Sequence, residues 1–129
     1  MKTIKQTVEF NSNPEDVYNA LMDSKKHSQF TGAHAKIDNK IGGKFEVYDG
    51  SINGTTIELI PGKKIVQKWY CETEGWPEGH YSTVTFSFKA TKSGTKLEFV
   101  QIDVPDEAYE DISAGWEEYY WKPMKKIRE

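Results

Sequence analysis

The fold is decided by residues 42–69, whose sequence is GGKFEVYDGSINGTTIELIPGKKIVQKW. Apolar residues in this stretch alternate with polar ones, which is typical of strands with one buried face. The dipeptides Asp49-Gly50 and Pro61-Gly62 supply turn chemistry between the strands. Such short connections allow only antiparallel pairing, because a parallel neighbour needs a long crossover. With two more alternating segments, the sequence predicts five successive strands, around Phe45/Val47, Ile57/Leu59, Ile65/Trp69, Val84/Phe86/Phe88 and Leu97/Phe99.

One strand and two helices are predicted before this run. Residues 4–10 alternate in the same way and predict a first strand. Asn13 followed by Pro14 is typical of a helix start, because an Asn side chain caps backbone N–H groups and Pro lacks one. Ser24 is the predicted cap of a second, short helix that ends at Thr31-Gly32.

The hydrophobic period changes after Val104-Pro105. Apolar residues then recur at intervals of three and four, which indicates an amphipathic helix from Asp106 to Ile127. Pro123 removes one backbone donor and is expected to kink the helix or loosen its last turns. Residues 1–129 are therefore predicted to form one α+β domain, in which a curved antiparallel sheet wraps around a long C-terminal helix.

Several short motifs go beyond periodicity. They are Gly42-Gly43-Lys44-Phe45, Tyr48-Asp49-Gly50, Asn53-Gly54, Glu58-Leu59-Ile60-Pro61, Lys64-Ile65-Val66-Gln67-Lys68-Trp69, Trp76-Pro77-Glu78-Gly79-His80-Tyr81, Val104-Pro105 and Gly115-Trp116-Glu117-Glu118-Tyr119-Tyr120. In this order and at these spacings the chain resembles the C-terminal domain of activators of Hsp90 ATPase, over nearly its whole length. The resemblance implies the helix-grip, START-like fold of the SRPBCC superfamily, with two short helices after the first strand.

The same resemblance implies a co-chaperone-like or protein-binding module of the stress response, with an Hsp90-type chaperone as partner. In the eukaryotic co-chaperones a separate N-terminal domain makes much of the chaperone contact, and 129 residues leave no room for it. We therefore expect weak chaperone binding and slight stimulation of the ATPase. The alternative function is binding of a small hydrophobic ligand or lipid in the cavity of the START-like fold.

Composition and charge argue against several other classes. The chain has 17 Lys and Arg against 20 Asp and Glu, a net charge of −3, whereas nucleic-acid binders typically show a basic excess. No apolar run approaches the roughly 20 residues of a membrane-spanning helix, so no membrane insertion is predicted. The first residues lack the apolar stretch of a signal peptide, and the single Cys71 cannot form an internal disulfide. A cytoplasmic location is the expectation.

The sequence offers no constellation of catalytic residues, and we predict no enzyme activity, no cofactor and no metal. His27, His34 and His80 lack metal-ligand spacing and fall in separate elements. Cys71 has no histidine nearby in the sequence, which favours a small buried side chain over a nucleophile.

Two candidate binding sites follow from this fold. The C-terminal helix and the concave face of the sheet bound one interior space. Glutamines at its inward strand positions are unusual because buried amides need partners, and they are Gln6, Gln67 and Gln101. The predicted ligand cavity is lined by Gln67, Trp69, Phe86, Gln101, Trp116 and Tyr120. The predicted partner surface combines the charged outer face of the last helix with the turn Trp76, Pro77, Glu78 and Gly79.

Overall fold

The computed structural model describes residues 1–126, which contain one seven-stranded sheet. Its strands are β1 (Lys2–Phe10), β2 (Lys36–Ile37), β3 (Lys44–Val47), β4 (Ile52–Ile60), β5 (Lys64–Cys71), β6 (Ser82–Ala90) and β7 (Thr95–Val104). They are ordered β1-β7-β6-β5-β4-β3-β2, so the strands from β2 to β7 pair in sequence and β1 pairs with the last of them.

The predicted fold class is confirmed, with one strand more than the pattern predicted. All pairings are antiparallel. The additional strand is β2, whose two residues pair with Phe45 and Glu46 of β3. The sequence prediction missed this strand because two residues cannot display an alternation.

Two short helices, α1 (Pro14–Met22) and α2 (Ser24–Thr31), follow β1. Tyr18 of α1 packs edge-on against Phe88 of β6, with ring centroids 5.9 Å apart. Together with the C-terminal helix, α1 and α2 cover the face of the sheet that carries the buried apolar residues. The domain therefore has two layers around one core.

The helix caps agree only in part with the prediction. Asn13 caps α1 as predicted, since its side chain accepts a hydrogen bond from the Asp16 N–H at 2.9 Å. The prediction for α2 is wrong by one residue, because Asp23 caps this helix and Ser24 does not. The Ser24 hydroxyl instead accepts from the Ile37 N–H at 2.8 Å and so holds β2 against α2.

The C-terminal helix runs from residue 109 to residue 124 and changes its hydrogen-bonding pattern on the way. After a 3-10 turn (Asp106–Ala108), it consists of α3 (Tyr109–Trp116), a π-helical segment (Glu117–Trp121) and α4 (Lys122–Met124). The wider π segment ends at Trp121, two residues before Pro123, whose ring would clash with the backbone in a regular i to i−4 pattern. The predicted helix end at Ile127 lies outside the described residues.

A β-bulge interrupts the predicted alternation of β4 at Ile57. The register against β5 shifts between Thr56 and Glu58. Thr56 is consequently fully buried, whereas Ile57 is 43% exposed and Leu59 is partly buried against the core. Bulges bend a strand and increase its twist, which helps to curve this sheet around its helices.

The paired glycines at the start of residues 42–69 are required by the backbone. Gly42 has a φ of +83°, which favours glycine. A Cβ on Gly43 would overlap the carbonyl oxygen of Asp38. The pair therefore permits the tight turn that leads from β2 into β3.

Candidate functional site

Trp116 is the centre of an aromatic cluster that joins the C-terminal helix to the sheet. Its side chain is 3% exposed. Its ring centroid lies 4.4 Å from that of Phe99, 5.6 Å from Trp69 and 5.9 Å from Phe86. Trp121 of the same helix stacks on it at 5.5 Å. Large planar side chains thus bury much of the apolar area between helix and sheet.

Gln101 holds the indole N–H of Trp116. Trp116 Nε1–H donates to Gln101 Oε1 at 2.8 Å, and Gln101 Nε2 donates to Ser82 Oγ at 2.9 Å. The Ser82 hydroxyl donates to the carbonyl oxygen of Trp69 at 3.2 Å. Gln101 is fully buried, and this chain of bonds engages its amide within the protein.

Gln6 and Gln67 are engaged in a similar way. Gln6 Oε1 accepts from Trp121 Nε1–H at 2.7 Å, and Gln6 Nε2 donates to the carbonyl oxygen of Ser113 at 3.1 Å. Gln67 Nε2 donates to Thr56 Oγ1 at 3.3 Å. Within residues 1–126, every buried side-chain polar atom has a hydrogen-bond partner. Bonds inside the protein therefore account for the polar interior that suggested a ligand.

The structure brings five of the six predicted cavity residues together around a void of about 20 Å³. They are Gln67, Trp69, Phe86, Trp116 and Tyr120. Gln101 does not line this void. The space holds about one water molecule and is too small for a lipid.

A much larger space, of about 790 Å³, lies between the C-terminal helix and strands β4 and β5; we call it the groove. It is lined by Tyr48, Ser51, Ile52, Trp69, Cys71, Thr73, Asp111, Ile112, Ala114, Gly115, Trp116, Glu118, Tyr119 and Tyr120. Thr73, Asp111 and Glu118 are exposed, so the groove is open to solvent. Three of the predicted cavity residues contribute to it, namely Trp69, Trp116 and Tyr120.

Tyr48 links the sheet to the C-terminal helix beside the groove. Its hydroxyl donates to the carbonyl oxygen of Tyr119 at 2.9 Å. In a regular helix residue 123 would donate to that carbonyl, but Pro123 has no N–H. Burial raises the pKa of Tyr48 to about 12, so the hydroxyl keeps its proton at neutral pH. The Tyr48 backbone has a φ of +50°, a strained value that the surrounding contacts maintain.

His27 of α2 is buried against Tyr120. Its Nδ1 lies 3.1 Å from the Leu21 carbonyl oxygen, and its Nε2 lies 3.0 Å from the Tyr120 hydroxyl. Because a carbonyl only accepts, Nδ1 carries the proton and Nε2 accepts from Tyr120. Burial lowers the pKa of His27 to about 4 and raises the pKa of Tyr120, so both are neutral at neutral pH. The pair ties α2 to the C-terminal helix.

The other candidates for chemistry are not assembled into a reactive site. Burial raises the pKa of Cys71 to about 11, which keeps it as the unreactive thiol at neutral pH. His80 Nε2 lies 2.7 Å from the carbonyl oxygen of Asp103. In residues 1–126, no three histidine, cysteine or acidic side chains are grouped so that they could hold a metal ion. No helix in this part of the chain is long and apolar enough to span a bilayer.

The predicted partner surface consists of a buried and an exposed part. Trp76 is 7% exposed, and its Nε1–H donates to the carbonyl oxygen of His80 at 2.8 Å. Its ring packs against Trp69, with centroids 5.5 Å apart. The next three residues, 77–79, are exposed. Trp76 therefore anchors the turn in the core, and residues 77–79 form its solvent-exposed part.

The exposed turn lies beside the start of the C-terminal helix. A shallow depression of about 530 Å³ is bordered by Trp76 and Pro77 from the exposed turn and by Asp106 and Glu107 from the 3-10 turn before the C-terminal helix. At Gly75 the two segments approach so closely that an added Cβ would lie 3.1 Å from Glu107 Cβ. The structure thus places the exposed turn next to the acidic residues that directly precede the C-terminal helix.

The chain is similar to known proteins over most of its length. The family described as activator of Hsp90 ATPase homolog 1-like protein matches residues 11–129. The chain is 34% identical over 124 residues to human "Activator of 90 kDa heat shock protein ATPase homolog 1". It is 38% identical over 116 residues to the Dictyostelium discoideum homolog of this activator. The alignments cover 96% and 89% of this chain but 36% and 30% of the relatives, so the chain spans about a third of their length.

Solved structures share the fold. The crystal structure of an HSP90 activator from Plasmodium falciparum matches with a TM-score of 0.89 and 30% identity, covering 97% of this chain and 94% of that one. The solution structure of the Aha1 dimer from Colwellia psychrerythraea matches with a TM-score of 0.79 over 98% of this chain and 100% of that one. At 14% identity, this second likeness supports the fold alone.

Proposed function

The chain belongs to the family of activator of Hsp90 ATPase homolog 1-like proteins, and we propose that it binds an Hsp90-type chaperone and modulates its ATPase. The observation that carries this proposal is the match to the Plasmodium falciparum HSP90 activator, because the solved chain of that protein is covered almost completely. The curated relatives contain long regions that this chain does not match. We therefore propose weak binding and slight stimulation for this domain, and not the activity of the whole relatives.

The proposed contact surface comprises residues 77–79 and the neighbouring acidic residues Asp106 and Glu107. The hydrogen bond from Trp76 to His80 holds the turn in place, so less conformational entropy is lost on binding. A domain of this size can bury about 800 Å² on each partner, which suffices for specific association. A single contact surface of this kind binds without the avidity that two linked sites would provide.

Modulation of the ATPase requires the domain to distinguish between conformations of the chaperone. A ligand shifts a conformational equilibrium only by as much as its affinities for the two states differ. Slight stimulation therefore corresponds to a small difference in affinity between the chaperone states. In this proposal the chaperone carries out the chemistry and the domain acts by binding.

Carriage of a small hydrophobic ligand, the alternative function, has less support. The matched relatives are named as activators of a chaperone ATPase. The interior glutamines that suggested a ligand are bonded to Trp116, Trp121 and Thr56. The void among five of the predicted cavity residues measures about 20 Å³, and the larger groove carries the acidic side chains of Asp111 and Glu118.

The proposal is tested by titrating the purified domain against the Hsp90-type chaperone of its own organism, with binding heat and ATP turnover measured on the same samples. We expect saturable one-to-one binding with a dissociation constant of about 30 μM, or about −6 kcal/mol. We expect turnover to rise roughly twofold, which corresponds to a change of about 0.4 kcal/mol in the activation barrier.

Charge reversal on the turn provides the matched comparison. Glu78→Lys should weaken binding, whereas Glu98→Lys, an equal charge change at an exposed position of β7, should leave it unchanged. Absence of binding heat together with unchanged turnover for the wild-type domain would overturn the proposed function.

A further inference from the structure

We infer that the groove binds a chain segment of a partner protein in which apolar side chains stand beside lysine or arginine. The inference rests on the proposed function only for the identity of that partner, the Hsp90-type chaperone. Two independent features of the groove carry it, its apolar walls and the charge of its borders.

The groove offers apolar contact on two sides. Ile112 and Trp116 line it from the helix, and Ile52 and Trp69 line it from the sheet. Tyr119 stands at its border with 57% of its surface exposed. A volume of about 790 Å³ equals that of a small-molecule pocket, roughly 300–1,000 Å³, so the groove has room for apolar side chains of a partner. Because the border is exposed, a polypeptide can enter the groove and continue beyond it.

The chain segments that border the groove are strongly acidic. Residues 45–55, 69–82 and 106–121 contain eleven of the 20 acidic residues of the chain and none of its 17 lysines and arginines. The charged side chains that line the groove itself are Asp111 and Glu118. Asp111 forms no ion pair within residues 1–126. The groove therefore presents an uncompensated negative charge beside its apolar walls.

The pairing of Glu118 does not remove this charge. Glu118 lies 3.3 Å from Lys122, one turn along the helix, and both side chains are about 60% exposed. Exposed pairs of this kind contribute about 0.3–0.5 kcal/mol and are easily exchanged. A basic side chain of a partner can therefore replace Lys122 at this carboxylate.

The apolar walls of the groove and the negative charge of its border together favour one class of ligand. A lysine or arginine gains from the border carboxylates and from the exposed ring of Tyr119. Phosphates of nucleic acids and anionic lipid head groups would be repelled. An uncharged lipid would use the apolar walls but gain nothing from the acidic border. A basic and apolar protein segment uses both features, and electrostatic attraction also speeds its association.

The test uses the whole domain with two partners, the chaperone and an acetylated octapeptide of alternating lysine and leucine. Binding is measured by calorimetry and by tryptophan fluorescence, because Trp69 and Trp116 line the groove. The groove variant combines Asp111→Lys with Glu118→Lys. Its control combines Glu9→Lys with Glu98→Lys, the same charge change on the exposed faces of β1 and β7.

A second pair of variants tests shape without changing charge. Ala114→Trp places a large side chain in the groove from an exposed helix position, and Ala90→Trp adds the same side chain at the exposed end of β6. We expect both groove variants to weaken peptide and chaperone binding by about tenfold, and both controls to stay within about twofold. Peptide binding to the wild-type domain should weaken as salt is added.

The possible outcomes separate the two proposals. Equal chaperone binding by wild-type and groove variants would overturn the groove inference and leave the proposed function standing. If the peptide requires the intact groove but no form of the domain binds the chaperone, the groove inference holds and the chaperone is not the partner. The inference would be overturned if the domain bound an uncharged monoacylglycerol more tightly than the lysine–leucine octapeptide. It would also be overturned if an octapeptide of leucine and glutamate bound as tightly as the lysine–leucine octapeptide.

Discussion

Replacing Gln101 by leucine tests how the C-terminal helix is held on the sheet. The substitution approximately keeps the side-chain volume but removes the acceptor of the Trp116 indole N–H at 2.8 Å and the donor to Ser82 at 2.9 Å. Both Gln101 and Ser82 are fully buried, so water cannot take over these bonds. A buried donor left without a partner costs about 1–3 kcal/mol, and the lost bond to Ser82 adds a smaller amount. We expect the free energy of unfolding to fall by about 2–4 kcal/mol.

The measurement is urea unfolding followed by circular dichroism, with Gln6→Leu as the matched control. Gln6 accepts from Trp121 in the same manner but is partly exposed, so water can replace its bonds and the loss should stay near about 1 kcal/mol. Combining Gln101→Leu with Trp116→Phe removes donor and acceptor together. This pair should be less destabilised than the sum of the single variants by about 1–3 kcal/mol.

A loss below about 0.5 kcal/mol for Gln101→Leu, the range of an ordinary surface substitution, would show that the buried bonds of Gln101 do not stabilise the helix on the sheet. The same conclusion would follow if the two substitutions were strictly additive. In either case aromatic packing alone, and not the buried bonds, would hold the helix on the sheet.

Three further predictions concern stability. Trp116→Ala should lower the free energy of urea unfolding by about 3–5 kcal/mol, because the side chain is 3% exposed and its removal leaves a cavity. A decrease under about 1 kcal/mol would show that Trp116 does not anchor the helix. Burial lowers the pKa of His27 from 6.5 to about 4. Between these two pH values the unfolded chain therefore binds a proton that the native chain does not bind. The stability present above pH 6.5 should consequently be lost as the pH falls toward 4. The free energy of unfolding should fall by about 3 kcal/mol over this range, and by less in His27→Gln. Equal pH profiles of stability for the wild-type protein and His27→Gln would contradict this prediction. Tyr48→Phe should lower the free energy of unfolding by about 1 kcal/mol, because the Tyr119 carbonyl loses its donor. The decrease should be smaller in a Pro123→Ala background, which restores a backbone N–H. Equal decreases in both backgrounds would show that the Tyr48 hydrogen bond does not compensate for the proline.

Much of the fold could be predicted because alternation and turn residues act locally. Strands β3, β5, β6 and β7 were found by their period of two, with turn dipeptides between them. The prediction for β4 was wrong at Ile57, because the bulge between Thr56 and Glu58 adds one residue to the strand and no sequence pattern indicates it. It missed β2, which depends on the hydrogen bond from Ile37 to Ser24.

The candidate site was predictable only in part. Trp69, Phe86, Trp116 and Tyr120 come together because inward strand positions and the helix stripe face the same interior. The tryptophan partners of Gln6 and Gln101 could not be predicted, because they depend on the rotation of the C-terminal helix. The partner of Gln67 is Thr56, whose burial depends on the bulge in β4. The missed groove depends likewise on where the helix meets β4 and β5. Its one sequence signal was the lack of lysine and arginine in residues 45–55, 69–82 and 106–121.

Nuclear magnetic resonance can show whether the acidic groove and the adjacent turn form the chaperone-binding surface. The isotope-labelled domain is titrated with the Hsp90-type chaperone, and the change of each backbone amide signal is mapped onto the structure. We expect changes concentrated in residues 72–79 and 106–119, with little effect at Val66, Thr85 and Val100, which are neighbours in register across β5, β6 and β7. Changes centred on those three residues, with the groove and the turn unaffected, would contradict it.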